Sequence, residues 1–190
     1  MMMTRVKARV EVKVRQPARQ IGVAVSENIS GDIMANPLVP ALRNLFLERP
    51  ARKRDYAYFA SKLEASGKEL EARFALAADS PENRRQLRHI VGLERWGQRR
   101  LRTALGEAPV RDEMDEYAPP RGQSLLDLRA AFAATRRETV VLVRQLEARG
   151  VPSDWVIPHN EFGPLTLRAW LRYLDLHASI EARRIKPARR

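Results

Sequence analysis

Cysteine is absent from all 190 residues of the chain. That excludes a disulfide framework, a thiolate metal site and a cysteine nucleophile. Any metal must be held by His, Asp or Glu, and histidine is scarce as well: His89, His159 and His177 are the whole supply. No run of about 18 apolar residues occurs, so no membrane-spanning helix is expected. A Gly-rich phosphate loop, zinc-finger spacing and a helix-turn-helix signature are all missing. No basic tract carries the interleaved aromatics on which single-stranded nucleic acids stack. The opening residues, MMMTRVKARVEVKVRQ, lack the apolar block of a secretory signal, and a soluble cytoplasmic protein is the expectation.

Positive charge, by contrast, is abundant, with a net +12 that is concentrated in patches. Residues 1–20 carry Arg5, Lys7, Arg9, Lys13, Arg15 and Arg19 against Glu11. Arg49, Arg52, Lys53 and Arg54 form a second cluster, and Arg183, Arg184, Lys186, Arg189 and Arg190 a third. Such patches can hold phosphates or a nucleic-acid backbone without reading sequence. The simpler reading is an arginine-rich solvated surface.

Residues 1–37 read as a basic arm. Val6, Ala8, Val10, Val12 and Val14 alternate with polar neighbours, which is a strand period, and Ile21 to Val25 is a second β-branched run. One strand pair cannot build a core, so the arm is expected to be disordered, packed on the rest, or the product of a mis-assigned start codon. From about residue 38 to 190 the pattern is helical. A short helix is expected over Ala41 to Arg49, between Pro40 and Pro50. Four longer ones follow: about Arg54 to Ala78, Pro81 to Leu105, Leu125 to Arg149 and Thr166 to Ile185. Ser80-Pro81-Glu82 is a helix start and Ser124 a second cap; Gly106 and Gly150 are stops. Ala108–Gln123 and Val151–Pro164 read as irregular connections. The predicted fold is all-α, a four-helix bundle with an N-terminal extension.

The last helix, TLRAWLRYLDLHASIEARRI, carries two stripes. Leu167, Trp170, Leu171, Leu174, Ala178 and Ile185 form the apolar one; Arg168, Arg172, Asp175, Ser179 and Arg183 form the wet one. His177 and Glu181 fall on the buried side, one turn apart. A buried carboxylate needs compensation. A divalent cation is one answer, since Cβ atoms four apart on a helix lie about 5–6 Å from each other. An arginine, or a tyrosine such as Tyr173 or Tyr117, is another. Glu94 lies inside the apolar face of the second bundle helix, with His89 on its flank. Glu94 therefore reads as a ligand, as a partner that orients an imidazole, or as the partner of a core arginine. His159, in the loop IPHNEFGP, reads as a turn or helix-entry residue, or, with Asn160 or Glu161, as a group at a pocket mouth. Trp96 and Trp170 are expected in the core, and Trp155 over a bundle end.

RHIVGLERWGQRRLRTALGE (88–107), the prolines at 119 and 120, and FGPLTLRAWLRYLDLHASIEARRI (162–185) resemble the DinB/YfiT-like helical bundles, a family associated with metal-dependent chemistry. The resemblance spans roughly residues 54–185. It implies one histidine ligand on the second bundle helix and a His-x3-His pair on the last. By position these are His89, His177 and Glu181, with glutamate standing where the family has histidine. Glu94 and His159 then fall behind the ligands. Two histidines and a carboxylate suit zinc, nickel or iron. The resemblance also implies thiol-dependent transfer, isomerisation or hydrolysis of a small electrophile, an external low-molecular-weight thiol, a link to stress response and a homodimer. The competing reading is a non-catalytic bundle that binds an acidic partner or nucleic acid through its basic tails.

Overall fold

The computed structural model describes residues 38–188. The strand-patterned arm and the last two arginines lie outside the described residues. Four long helices build the bundle: α3 (Tyr56–Ala75), α4 (Pro81–Arg102), α5 (Leu125–Ala148) and α6 (Leu167–Glu181). Each starts on a side chain that accepts a backbone N–H of its first turn: Asp55 from Tyr58, Ser80 from Asn83, Ser124 from Asp127 and Thr166 from Ala169. A 3₁₀ turn, Thr103–Leu105, follows α4 and closes on Gly106 at φ 100°, a left-handed position that glycine takes without strain. No described helix is long and apolar enough to cross a membrane.

The contacts set the helix directions. Gly67 of α3 lies against Arg136 of α5, and Glu64 against Arg144, so these two run antiparallel. Leu87 and Ile90 of α4 cluster with Leu125 and Leu128 of α5, and Leu101 with Leu142 and Leu146, which makes this pair parallel. Gly97 meets Leu174 and Gln86 meets Glu181, so α4 and α6 are antiparallel. The order is up-down-down-up. A parallel α4–α5 pair requires a long return connection. The chain makes it by running back along α4: Arg100 holds Val110 and Asp112, Gly92 packs on Ala118, and Arg88 holds Pro119. Among these residues a short 3₁₀ turn, Met114–Tyr117, is closed by the Glu113–Glu116 capping box.

The core forms two apolar clusters. One gathers Leu63, Trp96, Leu101, Leu146, Leu165 and Trp170. The other gathers Phe74, Leu87, Ile90, Phe132, Ala178 and Ile185. Between them lies a polar layer: Ser66, Glu94, Gln98, Thr135, Arg136 and Thr139, all buried. Leu167, Trp170, Leu171, Leu174, Ala178 and Ile185 are buried as their spacing predicts.

Two connections differ from expectation. The short helix over Ala41 to Arg49 is longer, and passes both prolines as α1 (Leu38–Arg43), a π-helical turn (Asn44–Glu48) and α2 (Arg49–Ala51). Pro40 sits in a first turn, where no N–H is needed. Pro50 cannot donate to the carbonyl of Phe46; Arg172 Nε does so instead, at 2.6 Å. Glu48 holds the hydroxyl and backbone N–H of Thr166, tying this segment to the start of α6. The second correction is a β-hairpin inside the supposedly irregular 151–164 stretch: β1 (Val156–His159) pairs antiparallel with β2 (Gly163–Thr166). Pro158 faces Pro164 in its register, and two prolines in eight strand residues mask the usual strand signal.

Candidate metal centre

Gly97 allows α4 and α6 to meet closely. A Cβ there would stand 2.5 Å from Leu174 Cδ2, so only glycine admits this approach without displacing a buried leucine. The same face of α4, two turns earlier, carries His89. The next turn of α6 carries His177. Their ring centroids are 5.2 Å apart. His177 Nδ1 is buried with no hydrogen-bond partner among the described residues. Burial, and then the neighbouring His89, push the His177 pKa down to about 4 against a smaller opposing pull from Glu181, so this imidazole is neutral at neutral pH.

Glu181 lies one turn further along α6 and is 8% exposed. Its Oε2 accepts from Gln86 Nε2 at 2.5 Å and from Arg184 at 2.8 Å. Gln86 precedes His89 by three residues on α4, so both reach α6 from one helix face. No three His, Asp or Glu side chains of the described residues meet as one ligand set in this arrangement. The partners of Glu181 are an amide and an arginine; Tyr117 instead bonds Asp112.

Tyr173 connects this region to His159. Its ring centroid lies 5.7 Å from that of His177 and 4.7 Å from that of His159. All three histidines thus lie along the α4–α6 seam. Burial and the carboxylates of Glu161 and Glu181 push the Tyr173 hydroxyl up, so it stays protonated. His159 is enclosed by Trp96, Phe162, Trp170 and Tyr173. Its Nδ1 accepts the backbone N–H groups of Glu161 and Phe162 at 3.1 and 3.2 Å. That fixes the proton of the neutral ring on Nε2, which is buried without a partner among the described residues. Burial and the Arg100 charge push its pKa down to about 3. His159 closes the hairpin turn, and one aromatic ring separates it from His177.

Trp96 and Trp170 are core residues, as expected, and both have an anchored indole. Trp96 donates to Asp112 Oδ1 at 3.0 Å and Trp170 to the Ile157 carbonyl at 3.1 Å. Trp155, at the hairpin entrance, is half exposed. Asn160 does not enter the histidine seam. It bonds the Asp112 carbonyl and accepts from Arg100, whose guanidinium pairs with Asp112 at 2.6 Å.

Glu94 belongs to the polar layer. Arg136 Nε stands 2.9 Å from its Oε1, and Thr139 donates to the same oxygen at 2.7 Å. Of the three readings open from sequence, the core-arginine partnership is the one whose partner is in place. Burial nevertheless raises the Glu94 pKa, the pull of Arg136 and Thr139 being smaller, and Asp175 raises it further. Arg136 was not legible as a core residue, because α5 shows it among Arg137 and Glu138 in a charged run. Gln86 and Arg184 carried no recognisable signal; their roles emerge only when α4 meets the end of α6.

Family models, curated proteins and solved structures give no match to this chain.

Proposed function

We propose that the chain is a metal-dependent enzyme of the DinB-like type, in which His89, His177 and Glu181 hold a divalent cation. One observation carries this reading: two imidazoles from different helices face each other with a carboxylate one turn away, and a buried ring nitrogen of His177 has no partner. The donor chemistry fits zinc, nickel or iron. A cation bound there supplies Lewis acidity and lowers the pKa of a coordinated water or thiol. The protein's own part is orientation and exclusion of water. Gln86 and Arg184 aim the Glu181 carboxylate, as partners behind a ligand do. Burial keeps His177 neutral, the form that binds a metal. Tyr173 covers one side of the seam. With no cysteine in the chain, a thiol nucleophile comes from outside, and the substrate is a small electrophile. The resemblance to the family further supports a cytoplasmic homodimer with a stress-related role.

Consumption of a low-molecular-weight thiol by a chromogenic electrophile tests this reading, with zinc, nickel or ferrous iron added in turn. Metal-dependent turnover is expected in the wild type and a loss of at least about 10–100-fold in His177→Ala, by the scale of disrupted metal sites. Metal-independent inactivity, joined to salt-dependent retention of nucleic acid, would favour the binding bundle instead.

A further inference from the structure

A half-open concavity lies on the face of α4 turned towards the return connection. It encloses about 460 Å³ and is lined by Arg84, Arg85, Arg88, Arg121, Gln123 and Leu128, with two prolines and a glycine completing the wall. Four guanidinium groups line it and no acid does. The opposite wall is fixed in place. Arg88 Nε donates to the Pro119 carbonyl at 2.5 Å, and Gly92 packs so tightly on Ala118 that a Cβ would stand 2.9 Å from its Cα. The neighbouring acids stand outside. Asp79 pairs with Arg84 at 3.1 Å from an exposed position, and Glu82, fully exposed, feels Arg85. Among the described residues the guanidinium groups of Arg85 and Arg121 have no hydrogen-bonded or ion-paired partner. The Gln123 amide oxygen is buried and likewise unpartnered; turning that amide presents two donors instead.

We propose that this cleft binds a small oxyanion-bearing molecule, a phosphate ester or a carboxylic acid, with an apolar portion. Like charges gathered around one concavity repel each other, and an anion relieves that cost. Guanidinium groups grip phosphate and carboxylate oxygens two at a time. Leu128 and the prolines offer a surface to the uncharged part. The lining contains no aromatic residue, and the arginines converge on one concavity and do not follow a track, so a nucleic-acid strand is the poorer fit. Arg85 and His89 are one turn apart on α4, which puts this cleft next to the histidines, but the proposal does not depend on a metal there.

The test titrates the full chain with inorganic pyrophosphate and, separately, with citrate, by calorimetry at physiological ionic strength. Saturable binding of one or both is expected, and the preferred probe tells a phosphate ligand from a carboxylate. An Arg85→Ala/Arg121→Ala double variant should weaken it about tenfold or more, the scale of a lost charged hydrogen bond. Both residues are exposed, and circular dichroism confirms folding. An Arg102→Ala/Arg137→Ala double variant, in a groove towards the C-terminal ends of α4 and α5, should bind as the wild type does. Equal weakening in the two double variants would reduce the effect to net charge and overturn the proposal. So would no saturable binding of either probe, or binding of a DNA duplex through Arg85 and Arg121 where neither small anion binds.

Discussion

Glu94 and Arg136 are 1% and 2% exposed, and each makes sense only with the other. Removing the arginine leaves a carboxylate stranded between two apolar clusters. Arg136→Ala should cost about 3–5 kcal/mol in a urea titration, the scale of a broken buried pair. A cost below about 1 kcal/mol, the surface-pair scale, would mean that water reaches the layer. Glu94 was visible in the sequence as a charge inside an apolar stripe, and its need for compensation followed from burial alone. Its partner was not visible, because Arg136 reaches the core by lying across Gly67 of another helix, where a Cβ would stand 2.7 Å from Arg136 Cγ. Sequence periodicity reports the face of one helix and says nothing about what the next one leaves vacant. Glu181 repeats the lesson. Its position on the buried side was legible; Gln86, 95 residues away, was not.

At the scale of elements, the four long helices could be read from apolar period and caps because both are local. Ser80 and Ser124 announced their helices, and the apolar stripe of α6 is buried throughout. The hairpin and the α1–α2 segment could not be read the same way, since each owes its shape to distant partners. Arg172 supplies the bond that Pro50 cannot make, and Trp170 and Arg100 anchor the hairpin. Glu48→Ala should therefore speed amide exchange across residues 38–51 and lower stability by about 1–2 kcal/mol, with the rest of the bundle unchanged. Unchanged exchange there would show that Glu48 is not the tie. Gly92→Ala tests the return connection. The atom it would meet is backbone, which cannot swing aside, so a loss of about 1–3 kcal/mol is expected, with chemical-shift changes centred on Ala118 and Pro119. Wild-type stability would refute the close packing that holds the arginine cleft.

The whole molecule should respond to acid through its buried imidazoles. The His159 pKa is pushed from 6.5 down to about 3, so between those values the unfolded chain binds a proton that the folded chain refuses. This contribution is complete above pH 6.5 and is lost as pH falls towards 3, at up to about 1.4 kcal/mol per pH unit. Glu94 acts in the opposite sense. Its raised pKa makes a contribution that is present below the ordinary carboxylate range and is lost as pH rises through its own value. Between pH 7 and 5 His159→Asn, which keeps a backbone acceptor and removes the titration, should flatten the decline in urea midpoint; an identical slope would contradict the burial of the ring. All-helical architecture was apparent from the bulk pattern; the gathering of the three histidines was implied only by the family resemblance and not by periodicity, since His159 arrives on a hairpin that the sequence hides. That seam carries the functional account. Metal content of the untagged protein, measured by elemental analysis after exposure to zinc, nickel or ferrous iron and extensive dialysis, tests it most directly. The account predicts about one equivalent per chain, absent from His89→Ala and His177→Ala and diminished in Glu181→Gln. A chain that retains no metal, or retains as much in the histidine variants as in the wild type, would contradict it.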